Sequence, residues 1–209
     1  MNIEIRQKGE ETTWEELAEL MHEAFLERLE QGLHFSCAYL TAEQMEKKCA
    51  NSIVLLAIDT DDHDSLAGTV SIEISAKGGN ALCALHYYLA VRPQYKHCGV
   101  ASLLFIKVQE IAKEKGCSHI ISDTAMGAES SVQWHLKNGF KIIGLDSFTS
   151  SNYYSYIFRK QLKPHVLWSN SLFCKVHYWL SALKRRMTFN EDGKSSFLMT
   201  MYLKMRNLQ

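Results

Sequence analysis

The stretch Leu89-Ala90-Val91-Arg92-Pro93-Gln94-Tyr95-Lys96-His97-Cys98-Gly99-Val100-Ala101-Ser102-Leu103-Leu104 constrains this chain more than any other. It reads as a strand, a short polar loop and a helix in immediate succession. A loop that opens a helix suits an anion. The first-turn N–H groups have no acceptor within the helix, and the helix dipole adds partial positive charge among them. Gly99 lets the backbone come close to a bound group, Ala101 adds little bulk on the same face, and Lys96 can add a full charge. A phosphate meets these requirements.

The segment resembles motif A of the GNAT superfamily of N-acetyltransferases: a strand ending in Val-x-Pro, then Arg/Gln-x-x-Gly-x-Gly/Ala, then an amphipathic helix. Here it stands as Val91-Arg92-Pro93 and Lys96-His97-Cys98-Gly99-Val100-Ala101, with lysine in place of the usual first Arg or Gln. Ser131-Val132-Gln133-Trp134-His135-Leu136-Lys137-Asn138-Gly139-Phe140 resembles the family's later helix, aromatic-Tyr-x-Lys-x-Gly-Phe. His135 occupies the usual tyrosine position, and Ala128 stands where an Asn often contacts the pantetheine arm. The resemblance spans residues 1–162. It implies a GNAT fold, α/β (α+β), with a mixed, mostly antiparallel central sheet, helices on both faces and acetyl-CoA as co-substrate. It assigns acetyl-CoA binding to Leu89, Ala90 and Val91 on the strand and to Lys96, His97, Cys98, Gly99, Val100, Ala101 and Ser102 in the loop and first helical turn.

At 209 residues the chain is one ordinary domain with an extension, or one large domain. An apolar fraction of 46% and a charged fraction of 22% are those of an ordinary globular protein. There is no run of eighteen apolar residues and no apolar signal region at Met1–Arg6, so the expected location is cytoplasmic. Six cysteines form no C-x-x-C pair and read as reduced thiols. The nine histidines show no metal spacing, so no metal is expected. The chain carries 23 charges of each sign, yet residues 163–209 hold eight Lys/Arg against two Asp/Glu, which leaves −6 on residues 1–162. The tail's charge is sparse and interleaved with bulky apolar residues, which argues against a nucleic-acid partner.

Periodicity predicts a strand at Asn2–Gln7, then a helix capped near Thr12–Glu16 with an apolar stripe Leu17, Leu20, Met21, Ala24, Phe25 that stops near Gly32. A second helix follows a Thr41-x-x-Gln44 capping box. Strands at Ile53–Ile58, Leu66–Ala76 and Ala81–Val91 should form an antiparallel meander, with Gly68 marking a bulge and 77–80 a turn. A helix from Gly99 to Lys115, a strand at His119–Asp123, a helix at Ser130–Asn138 ended by Gly139, and strands at Phe140–Asp146 and Tyr153–Arg159 complete domain 1–162.

Acetyl transfer to an amine needs a phosphate cradle, polarisation of the thioester carbonyl, a base for the amine and often an acid for the thiolate. The resemblance gives carbonyl polarisation to the backbone at Leu89, where the fourth strand splays from the fifth. The catalytic candidates are His135, His86 and Glu73. His135 would be an imidazolium acid at the family's tyrosine position, against a partly exposed helix histidine without function. His86 or Glu73 would be the base, against a hydrogen-bonded sheet histidine and a solvent-facing strand glutamate. Asp123 and Tyr153 are candidate acceptor-binding residues, against a turn cap and ordinary strand preference. The acidic first helix, with Glu15, Glu16, Glu19, Glu23, Glu27 and Glu30, reads as a solvated face or as an attractor for a cationic amine.

Residues 163–209 carry Trp168, Leu172, Phe173, Val176, Trp179, Leu180 and Leu183 at helical spacing, ended by Lys184-Arg185-Arg186. This reads as a helix, here placed at 164–187, packed on the domain or on another subunit, which leaves a homodimer open, rather than as a membrane-surface helix. Phe197–Leu208 reads as one more strand or helix. The activity implied is acetyl transfer from acetyl-CoA to a small-molecule or peptide amine by direct attack in a ternary complex. The alternative is a non-catalytic acyl-CoA-binding or interaction protein.

Overall fold

A computed structural model describes residues 1–76, 82–148 and 151–162. The turn expected at 77–80, the helix expected at 164–187 and the element expected at Phe197–Leu208 lie outside these residues. Strands β1 (Ile3–Gln7), β2 (Ile53–Asp59), β3 (Ser65–Ser75), β4 (Cys83–Val91), β5 (His119–Ala125), β6 (Lys141–Asp146) and β7 (Ser155–Gln161) form one sheet in the order β1-β2-β3-β4-β5-β7-β6. The helices are α1 (Trp14–Glu30), α2 (Ala42–Cys49), α3 (Val100–Glu114) and α4 (Glu129–Lys137). Two short 3₁₀ turns, Ser36–Tyr39 and Pro93–Tyr95, carry no sequence signal strong enough to have been expected. Among the described residues no helix is long and apolar enough to cross a membrane.

These residues fall into two compact units, Met1–Ser122 with 159–162, and Asp123–Phe158. In the first, β1 to β4 form the antiparallel meander that alternation predicts. Both capping boxes form. The Glu16 amide donates to Thr13 Oγ1 at 3.2 Å and the Thr13 amide to Glu16 Oε2 at 2.7 Å; Thr41 and Gln44 repeat the exchange at the start of α2. Each satisfies first-turn donors that the helix itself cannot, for about 1 kcal/mol per cap.

Strand alternation divides β3 between two faces. Ser71 is within hydrogen-bond reach of Cys49 of α2, at 3.4 Å. The apolar stripe of α1 (Leu17, Leu20, Met21) joins Met45, Val54, Leu56 and Ile58 in a closed core on that same face. Gly68 lies on the other face, where an added Cβ would stand 2.9 Å from the Ala90 carbonyl oxygen and 3.1 Å from Val100 Cγ1 of α3. Helices therefore cover both faces of this unit. Ala57 pairs with Gly68 but Ile58 pairs with Leu66, so Ala67 is the extra residue of a bulge beside Gly68.

Candidate active site

The site is built from the end of β4, the loop that follows and the start of α3, all in the first unit. Thr69 pairs with Ala90 while Ser71 pairs with Tyr87, so Val70 faces two residues, Tyr88 and Leu89. This second bulge turns Tyr88 to φ 53°, a left-handed conformation that is a true outlier for an aromatic side chain. Nothing in the local sequence signals it. The parallel ladder between β4 and β5 holds only Cys83 with His119, Ala84 with Ile120 and Leu85 with Ile121. Leu89, Ala90 and Val91 lie beyond its end, as expected of a strand that splays from its neighbour.

The loop is folded by its own side chains. Arg92 Nη1 donates to both Glu23 oxygens, at 3.0 and 2.9 Å, with Glu19 3.9 Å from Nη2. The Tyr95 hydroxyl donates to Asp62 at 3.2 Å, and Lys96 Nζ to Glu27 Oε2 at 2.7 Å. The Lys96 ammonium holds the Glu27 carboxyl below its ordinary range, and burial pushes the Tyr95 phenol up. Glu19, Glu23 and Glu27 recur at four-residue spacing and so share one face of α1. That stripe binds the chain's own cations, which corrects the reading of it as a merely solvated face.

His97 has φ 64° and Gly99 φ 86°, with Val100 opening α3. Alternating right- and left-handed residues make a concave nest of N–H groups. Ser102 and Leu103 already donate to the Gly99 carbonyl, and Cys98 makes a long bond to Tyr95, 3.4 Å. Among the described residues, no carbonyl outside the helix accepts from the amides of His97, Gly99, Val100 or Ala101. A Cβ at Gly99 would meet no atom within 4 Å. Gly99 is thus required by its backbone angle, not by crowding from the protein itself. A diphosphate fits this seat: the donors are present, the space is open and Lys96 stands three residues away.

The two base candidates lie on opposite faces. His86 pairs with Ile72, and Glu73 with Leu85. His86 is 3% exposed, with Nδ1 3.1 Å from Ser122 Oγ and its ring edge-on to Phe105 of α3 at 5.7 Å. Glu73 is half-buried and shares the Ser71 face, on the α1/α2 side of the sheet. The geometry does not combine them.

The second unit holds His135, Asp123 and Tyr153. His135 is 3% exposed, stacks on Phe158 at 4.4 Å and 18°, and donates from Nδ1 to the Ser131 carbonyl at 2.7 Å. Burial drives its pKa down from 6.5 to about 4, with the Ser131 bond opposing. The expected partly exposed histidine is instead a core residue, neutral at pH 7, and the imidazolium acid role loses its physical basis there. Ala128 is fully buried. Asp123 is exposed on β5; desolvation by surrounding protein pushes its carboxyl up and the Asp146 charge adds to it, while the Ser155 hydroxyl pulls the other way. Because solvent reaches the carboxylate, that push is screened. Tyr153 is half-buried just before β7.

A sequence profile of the acetyltransferase (GNAT) family matches residues 14–140. Solved structures share the fold. An acetyltransferase of the GNAT family from Streptococcus pneumoniae is 23% identical, covers 78% of this chain and all of its own, and has a TM-score of 0.56. The PaiA N-acetyltransferase from Thermoplasma acidophilum in complex with coenzyme A is 21% identical over 77% of this chain and 99% of its own, at 0.59. YncA from Salmonella typhimurium, with its cofactor acetyl-CoA, is 14% identical over 82% of this chain and all of its own, at 0.60. No significant match was found among curated proteins.

Proposed function

We propose that this chain, which belongs to the acetyltransferase (GNAT) family, moves an acetyl group from acetyl-CoA to a primary amine of a small-molecule or peptide acceptor by direct attack in a ternary complex. One observation carries the reading: the nest of four amides from His97 to Ala101, with Lys96 beside it and open space before Gly99. The diphosphate of acetyl-CoA fits that seat, and the structures of PaiA and YncA contain CoA and acetyl-CoA.

The amine nitrogen attacks the thioester carbonyl carbon, its proton passes to a base, the C–S bond breaks, and CoA leaves as thiolate. Backbone groups of Leu89 and Ala90, beyond the β5 ladder, are the proposed donors and acceptors for thioester and pantetheine. Glu73, half-buried on the α1/α2 side of the sheet, is the proposed base; Asp123, exposed on β5, and Tyr153 are proposed for the acceptor. CoA needs no acid from His135 to depart, because a free thiol's pKa is only about 8.5.

A second reading has one observation in its favour. His135 and Ala128 are both closed into packing, so the positions that in much of the family serve the thiolate and the pantetheine arm are buried core here. A non-catalytic acyl-CoA-binding protein would show this. The experiment is free-thiol release from acetyl-CoA across polyamines, amino acids, aminoglycosides and peptide N-termini, with calorimetric CoA binding alongside. Enzymatic action gives turnover with one class and a loss of about 10²–10⁴ in Glu73→Gln, the usual cost of removing a positioned base. CoA binding without turnover supports the second reading, and absence of binding overturns both.

A further inference from the structure

Three polar side chains of the loop are each held by a carboxylate from elsewhere in the first unit, and the three contacts differ in kind. Arg92 is 20% exposed and shares both oxygens of Glu23. Tyr95 is buried and anchored to Asp62. Lys96 makes a single contact with Glu27, at 2.7 Å, with the two side chains 32% and 55% exposed. The first two fix the loop's shape. The third is a solvent-screened pair, which opens at little cost.

Lys96 also stands where its ammonium is useful elsewhere. It is three residues before Gly99, in a loop where, among the described residues, no carbonyl outside the helix accepts from the amides of His97, Gly99, Val100 and Ala101. A diphosphate seated in that nest brings more negative charge than one carboxylate and offers several acceptor oxygens. The ammonium, paired with Glu27, has a second candidate partner in that diphosphate.

We propose that Glu27 is an internal competitor for Lys96: it holds the ammonium beside the loop while the nest is empty and yields it to the CoA diphosphate on loading. Glu27 acts through Lys96, as a positioning residue, and touches no reacting atom. This inference rests on the acetyl-CoA reading of the loop. It makes the affinity for CoA lower than the nest alone would give, and it shields Lys96 from casual anions.

The test is calorimetric titration of CoA into the full chain, in the parent, Glu27→Gln, Lys96→Gln and the double variant, at about 20 mM and about 300 mM salt, the latter well beyond the screening of exposed pairs. Pantetheine, which has no phosphate, serves as the control ligand. Glu27 is exposed and Lys96 half-buried at the surface, so circular dichroism should show all four folded. Glu27→Gln should tighten CoA about two- to five-fold at low salt, the range that an exposed ion pair supplies. The gain should shrink at high salt, be absent for pantetheine, and vanish in the Lys96→Gln background. Unchanged or weaker CoA binding in Glu27→Gln overturns the competitor role. So does an equal gain with Lys96 removed, because the carboxylate would then act on CoA through its field alone. If the parent itself binds no CoA, the reading of the loop has failed rather than the latch.

Discussion

Gly99 separates two physical effects that most loop substitutions mix. Its φ is +86°, and a Cβ built on it would meet nothing within 4 Å. Gly99→Ala therefore adds no packing clash and no packing gain. What remains is the cost of an L side chain in the left-handed region, about 1–2 kcal/mol. For a chain of this size each kcal/mol lowers the melting temperature by about 2–4 °C, so a drop of about 2–8 °C is expected. Asn tolerates this conformation better, and Gly99→Asn should melt above Gly99→Ala. Binding should order the variants differently. All side chains at this position enter the space before the α3 amides. Displacing one charge-assisted hydrogen bond costs about 1.5–3 kcal/mol, tenfold or more in affinity for CoA. Gly99→Glu, which adds negative charge against phosphate, should abolish binding. Scanning calorimetry gives the first order and titration calorimetry the second. A folded Gly99→Glu protein with undiminished CoA affinity would refute the phosphate seat, and an unaltered melting point in Gly99→Ala would refute the strain argument.

His135 gives a pH prediction. Its folded pKa of about 4 lies below the unfolded 6.5, so the unfolded state binds more protons between those values and stability falls as pH falls through that window. The loss is about 2 kcal/mol by pH 5 and about 3 kcal/mol below pH 4. His135→Phe keeps a ring for Phe158 to stack on and should lose most of this acid sensitivity in urea melts at pH 7 and 5, with turnover preserved; a parent-like pH slope would show that another group titrates. Gly68→Ala forces a methyl to 2.9 Å from the Ala90 carbonyl and 3.1 Å from Val100, and should cost about 1–3 kcal/mol by thermal melting. A melting point equal to the parent's would show that α3 rests less tightly on β3 than the distances indicate.

Local chemistry is what the sequence carries plainly. The capped start at Thr12–Glu16, the box of Thr41 with Gln44, and the strand–loop–helix around Gly99 are each settled within a few residues, and each forms as read. The misreadings depend on partners far along the chain. His135 is decided by Phe158, which stacks on it from 23 residues away. The acid stripe of α1 is decided by Arg92 and Lys96, each 69 residues from its glutamate; the four-residue spacing of Glu19, Glu23 and Glu27 was the available signal. His86 and Glu73 are parted by strand register, since pairing with Ile72 and Leu85 puts neighbours in the ladder on opposite faces. Tyr88 had no signal at all, because its angle follows from Val70 facing two residues instead of one.

Strain has a pattern across the described residues. Of the four non-glycine residues with positive φ, His63 and Asp64 belong to the β2–β3 turn, where such angles close a hairpin. The other two, Tyr88 and His97, bracket the β4 end and the loop. Each costs on the order of 1–3 kcal/mol, and the same short segment leaves four loop and first-turn amides without a carbonyl acceptor outside the helix. Neither the hairpins nor the packing of α1, α2 and α3 needs this. A sequence that caps α1 and α2 with paired side chains has the means to cap α3 in the same way, yet it places Gly99 there, which has no side chain to do so. Gathering strained angles and open donors into one segment makes sense if a ligand completes it. The Arg92–Glu23 ion pair and the Tyr95–Asp62 hydrogen bond then read as the means by which the loop keeps its shape until a ligand with phosphate oxygens supplies the missing acceptors.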